Sequence, residues 1–172
     1  KLCKDGKYHW KPEHGVTWTD EEIERATTVG VMHKESNIID VDLDSPEAQK
    51  FIHMLPESLT IGKKINGRPV ATHKLYSYDG TCKTESFGKN TDDGCQIELL
   101  TNTQTRVVGD RIILNDVKPK KLTFTEFNNL KNIIKKIYTL AILTKYYPSE
   151  GGRDEFVFRV AGTLAIECKH WE

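Results

Sequence analysis

The stretch NIIDVDLDSP, Asn37 to Pro46, alternates apolar and acidic residues and then stops at a proline. On a strand, residues two apart share a face. Ile39, Val41 and Leu43 therefore point into a core. Ile38, Asp40 and Asp42 point the other way, with Asp44 at the edge of that set. Neighbouring carboxylates repel, and burying them unpaired is costly. A divalent cation offsets both costs, because Mg²⁺ and Mn²⁺ prefer oxygen ligands. A solvent-facing strand edge followed by an aspartate helix cap explains the stretch equally well. An EF-hand loop is excluded. Counting from Asp40, its sixth position is Ser45 instead of glycine and its twelfth is Phe51 instead of glutamate.

Around this strand the chain reads as one α+β domain with a helical end. Pro46 suits the first turn of a helix over 46–55, closed by Pro56. Strands are expected near 59–65, 70–78, 95–100, 105–108 and 111–114, the last two flanking Gly109-Asp110 as a hairpin. Residues 80–94 hold three glycines and little apolar content, and read as a mobile loop. Thr19 with Glu22 forms a capping box for a short helix near 20–28, with Trp18 stapled onto Ile23. Thr123 with Glu126 repeats the device, with Leu122 and Phe127 as the staple. Phe124, Phe127, Leu130, Ile133, Ile134, Ile137, Leu140 and Ala141 then recur at helical spacing, so a long helix with one buried face runs to about Lys145. Pro148 and Gly151-Gly152 break the chain before a last helix from Arg153 to about Cys168. The sheet is expected to be largely antiparallel or mixed.

At 172 residues the chain can bury one real core. Lysine plus arginine equals aspartate plus glutamate, 25 each, so no net charge draws nucleic acid from a distance, and a local patch or an ion must do so. No apolar run reaches the roughly 18–20 residues that span a bilayer, so no membrane role is expected. The start at Lys1, without a signal peptide, reads as a piece of a longer, cytoplasmic protein. The four cysteines make no C-x-x-C pair and fit no zinc module. Nothing supports a Cys82–Cys95 bridge across the loop, and reduced cysteines are expected.

Two later strands add chemistry. In RPVATHKLYSY, residues 68–78, alternation puts Ala71, His73 and Leu75 on one face and Lys74 on the other. In CQIELLTN, residues 95–102, Glu98 lies between Ile97 and Leu99 and needs a metal, a basic partner or solvent. A lone strand histidine is more often structural than functional. Taken in order, these pieces resemble the bifunctional primase–polymerase (prim-pol) domain of plasmids and phages, in the archaeo-eukaryotic primase superfamily, over about Trp10 to Asp116. IIDVD, residues 38–42, resembles its first motif. INGRPVATHKLY, residues 65–76, resembles its second, and CQIELLTNTQTRVVG, residues 95–109, its third. GGRDEFVFRVAGTLA, residues 151–165, resembles the opening of the helical region that often follows. The chain departs from the family where S-x-H is replaced by Ala71-Thr72-His73, where the third acid is Glu98 instead of aspartate, and where the turn before His73 is less glycine-rich.

The resemblance implies a sheet related to the RNA-recognition motif, joined to an αβ unit with the active site in the cleft between them. It implies a catalytic domain over 1–120, with 121–172 as the start of a helical accessory region. It implies template-dependent nucleotidyl transfer, as a DNA polymerase or primase, in replication of a mobile element. Asp40, Asp42 and Glu98 would hold two Mg²⁺ or Mn²⁺ ions. His73 would contact the phosphates of the incoming dNTP or NTP. Lys63, Lys64, Arg68 and Arg106 are further candidates for phosphate or template. The partners implied are a DNA template and primer, with a helicase or helical domain in the full-length protein. Rival readings are a metal-dependent nuclease or phosphodiesterase, and a degenerate domain that binds nucleic acid without chemistry.

Overall fold

The computed structural model describes residues 19–88, 94–115, 117–148 and 150–168, leaving aside the side chains of Glu22, Ile23, Val108 and residues 162–168. In chain order the elements are α1 (Asp20–Arg25), β1 (Val29–Met32), α2 (His33–Ser36), β2 (Ile38–Leu43), α3 (Pro46–Gln49), a 3-10 turn (Ile52–Met54), β3 (Leu59–Ile65) and β4 (Arg68–Ser77). There follow β5 (Glu85–Phe87), β6 (Ile97–Leu100), β7 (Gln104–Val108), β8 (Ile112–Ile113), β9 (Lys120–Lys121), α4 (Phe124–Tyr146) and α5 (Arg153–Cys168). The larger sheet runs β5-β6-β2-β4-β3-β8, every neighbouring pair antiparallel. Short β9 pairs parallel with the end of β4, beyond the first residue of β3. A second sheet pairs β1 with β7. The protein is thus α+β with a mostly antiparallel sheet, as expected.

The acidic strand is central. Its apolar face, Ile39, Val41 and Leu43, is buried with Tyr76, Cys95, Ile97 and Leu99 from neighbouring strands. Helix α4 covers this face with Phe127, Leu130, Ile134, Ile137 and Ala141, which recur every three or four residues and so form one stripe. The helix therefore shares one core with the sheet, although it lies beyond residue 120. Its start is fixed as the sequence indicates. The Thr123 hydroxyl accepts from the Glu126 N–H at 3.3 Å, and the Glu126 carboxylate accepts from the Thr123 N–H at 2.9 Å. Leu122 and Phe127 are both buried beside that cap, and Tyr78 stacks on Phe127 at 4.4 Å.

The β3–β4 hairpin closes through Asn66 and Gly67, both at positive φ (50° and 76°), the backbone of a two-residue turn matched to strand twist. One register shift falls between Ile61 and Gly62. There a Cβ would sit 2.2 Å from the Val70 carbonyl oxygen, so only glycine fits.

Three local expectations are corrected. Strands β7 and β8 flank Gly109-Asp110 but do not pair as a hairpin. Strand β7 pairs with β1, and β8 with β3, so the turn carries the chain from one sheet to the other. Residues 80–94 are not loop throughout, because Glu85–Phe87 add a strand to the edge of β6. The helix expected over 46–55 is instead one turn of α-helix and one 3-10 turn. Ser45 caps the first, accepting from the Ala48 N–H at 3.1 Å. Helix α1 is shorter than 20–28, and its expected Trp18–Ile23 staple and Glu22 cap contact lie outside the described side chains. No disulfide joins Cys82 to Cys95; the latter is buried in the core. No helix among the described residues is long and apolar enough to cross a membrane.

Ile134→Ala empties a fully buried position where α4 meets the sheet. It is expected to destabilise the fold by about 2–5 kcal/mol, as chemical denaturation with an unchanged m-value would record.

Candidate metal and phosphate site

Antiparallel pairing sets side chains from different strands side by side. Ser86 is paired with Glu98, Glu98 with Asp42, and Asp42 with His73. One row thus crosses β5, β6, β2 and β4 on the face away from α4. The Ser86 hydroxyl donates to Glu98 Oε1 at 2.8 Å. His73 Nδ1 lies 3.0 Å from Asp40 Oδ2 and 3.4 Å from Asp42 Oδ1. The structure therefore brings together all four residues, Asp40, Asp42, His73 and Glu98, that the sequence singles out from three separate strands.

Their environments differ. Asp40 has no solvent exposure. Its Oδ2 accepts from His73 and from the Thr105 hydroxyl, while its Oδ1 is buried without a hydrogen-bond partner. Asp42 is partly open, and Asp44 is exposed just past the strand end. One oxygen each from Asp42, Asp44 and Glu98 lies within 4.8 Å of the others, close enough to share a cation. Asp44, which the sequence places at the edge of the set, thus joins the tightest group, and Asp40 stands behind it. The Asp44 N–H is anchored to the Gln96 carbonyl at 3.3 Å, and Gln49 caps the Leu43 carbonyl at 2.8 Å.

Burial pushes Asp42 up to about 7. The charges of Asp40 and Asp44 add to this, and His73 and Arg111 oppose it. Asp44 is raised by burial and then by Glu98, against His73, Lys63 and Arg111. For His73, burial alone favours the neutral ring. The hydrogen bond to Asp40 and the charges of Asp40 and Asp42 outweigh it, and its pKa is raised.

A cleft of about 210 Å³ opens beside this row, lined by Asp42, His73, Leu100, Gln104, Thr105, Arg106 and Arg111. Arg106 reaches it while paired to Asp110 at 3.0 Å. Arg111, which sequence reasoning missed, donates to the Thr72 hydroxyl at 3.4 Å and acts electrostatically on Asp42, Asp44 and His73. Lys63 is exposed on β3 and acts on Asp44. Lys64 and Arg68 are exposed at the hairpin end and do not line the cleft. Lys74 points to the other face, as alternation requires, and donates to the Leu55 and Pro56 carbonyls at 3.0 and 3.2 Å. His33 and Thr105 were missed as well. The alternating threonines at 101, 103 and 105 were the signal for Thr105, and nothing in the local sequence marked His33.

Comparison of the chain with family models, with curated proteins and with solved structures finds no match.

The raised Asp42 has a testable sign. Below about 7 it holds a proton and offers a cation no charge. The raised His73 adds a repelling charge on the same acid side. Mn²⁺ affinity, followed by calorimetry, should therefore increase roughly tenfold from pH 6 to pH 8. A flat profile would contradict the Asp42 assignment.

Proposed function

We propose that this domain carries out template-dependent nucleotidyl transfer by a divalent-metal mechanism, as a polymerase or primase acting on DNA. The observation that carries this reading is one cleft that joins a carboxylate cluster to a cationic rim. Asp42 belongs both to the carboxylate group with Asp44 and Glu98 and to the lining of the cleft that holds His73, Arg106 and Arg111. A magnesium-bound triphosphate presents both charges, so it needs both halves.

The donor set fits Mg²⁺ or Mn²⁺, since every convergent ligand is a carboxylate oxygen. The partnerless Oδ1 of Asp40, which shares a strand face with Asp42, is the kind of buried oxygen that a cation satisfies. The residues that would hold metal are Asp42, Asp44 and Glu98, with Asp40 behind them. When bound, such ions supply Lewis acidity and lower the pKa of an attacking hydroxyl.

The protein groups do the rest. His73 is tethered at Nδ1 and lines the cleft, where a protonated ring can donate to a phosphate oxygen. Arg106 and Arg111 add fixed positive charge for the same anion. Phosphoryl transfer depends mainly on such positioning and charge neutralisation. On this reading the larger sheet is related to the RNA-recognition motif; α4 belongs to the core of that domain, so of residues 121–172 it is α5 that opens a helical accessory region. The partners are primer, template and dNTP or NTP, with a helicase or helical domain in the full-length protein. The compartment is the cytoplasm of the cell that houses the mobile element.

Incubation with a primed DNA template, dNTPs and Mn²⁺ should extend the primer. Asp42→Asn should reduce extension at least about a hundredfold. Shortened primer would instead identify a nuclease built on the same carboxylates. Neither product, with template binding retained, would identify a binding module.

A further inference from the structure

From the wall of the cleft a chain of buried polar groups runs back between the two sheets, and the function proposed above assigns no role to two of its members, Thr105 and His33. The Thr105 hydroxyl on β7 donates to Asp40 Oδ2 on β2. Its only proton is thereby committed, so it accepts from His33 Nε2 at 2.8 Å. His33 Nδ1 then has no proton to give and accepts from the Thr103 hydroxyl at 3.3 Å. His33 has no solvent exposure, and burial lowers its pKa, which suits a neutral ring with this tautomer. On the far side, His73 Nδ1 donates to the same Asp40 oxygen.

We propose that Thr105 and His33 are positioning residues, with His33 protonated at Nε2 so that Thr105 fixes the Asp40 carboxylate and Asp40 in turn fixes the ring of His73. The arrangement leaves His73 Nε2 as the ring nitrogen available to an anionic ligand in the cleft. Two donors hold Asp40 Oδ2, one from each sheet, and together they restrain the carboxylate's orientation. Without the threonine hydroxyl that orientation loses one of its two restraints, and the imidazole can turn away with it. The anion-binding part of this inference rests on the nucleotide-transfer reading. The tautomers and the tethering of His73 do not.

The test is ¹H–¹⁵N NMR of the histidine ring nitrogens in the full 172-residue chain. Calorimetry with inorganic tripolyphosphate as the probe accompanies it. The wild type should show His33 protonated at Nε2 and a hydrogen-bonded Nδ1 proton on His73; the opposite tautomer on either ring would overturn the proposal without any variant. Thr105→Val should shift or abolish the His73 Nδ1 proton signal and weaken tripolyphosphate binding at least about fivefold. Thr105→Ser, which keeps the hydroxyl, should restore both to within about twofold. An unchanged His73 signal in a folded Thr105→Val protein, or a Thr105→Ser protein as impaired as Thr105→Val, refutes the positioning role. If the wild type binds no tripolyphosphate, the nucleotide-transfer reading fails, and the ring signals alone decide the role of Thr105.

Discussion

Asp40 sets a carboxylate at the centre of the larger sheet with no solvent exposure, where an uncompensated charge costs several kcal/mol. The elements around that face are arranged to meet the cost. Strand β4 contributes His73, and the second sheet contributes Thr105 with His33 behind it. These partners come from residues 33, 73 and 105, so closing the network requires β1, α2, β4 and β7 to be in place together. One carboxylate oxygen remains unmatched even so. Native interiors rarely leave such an atom. Here it belongs to a residue on the acidic face of β2, the face away from the α4 core.

The larger sheet divides its labour by face. On the α4 side nearly every inward residue is apolar, and the cost of ordering the chain is offset by burial alone. Polar exceptions there include Lys74 and Tyr76, whose head groups reach the carbonyls of Leu55 and Pro56. On the other face the sheet carries the ionisable row, where like charges oppose one another and stability is given up. Strand alternation couples the two, since each residue that strengthens the core fixes the direction of an acid beside it. A register slip of one residue would send Asp40 and Asp42 into the α4 interface. The apolar face is therefore what aims the acidic one.

The long helix and the acidic strand were legible because their signals are local. A capping box and a three-to-four residue period specify α4 without reference to anything distant, and alternation alone gives the two faces of β2. The second sheet was only half legible: its strand near 105–108 was expected, but β1 and the pairing were not. The run VGVM at Val29–Met32 has no alternation, and its partner lies more than seventy residues away. The Gly109-Asp110 turn looked like a hairpin because the local chemistry suits one. The hydrogen-bonding edge of β7 went instead to β1, and no property of the turn reports that. The depth of each acid depended on this same sheet. Asp40 is buried because β7 and α2 cover it, so a period-two pattern could place it on the correct face but could not say that it lies behind Asp42. Arg111 was hidden for a related reason. It enters the cleft only because the chain crosses between sheets at that point.

The three aspartates of the opening stretch are chemically identical and one turn of the pleat apart, yet depth gives each a different capacity. Asp44, past the strand end, is the most open of the three, yet partial burial and Glu98 still raise it. Asp42, partly covered, is pushed up to about 7, so its charge responds to small changes near neutral pH. Asp40, fully enclosed, cannot exchange its partners without moving two sheets, which makes it an anchor for His73. A graded series of this kind follows from running one strand from the interior to the edge of a cleft. The acids need no special chemistry of their own; their depth along β2 and just past its end assigns it.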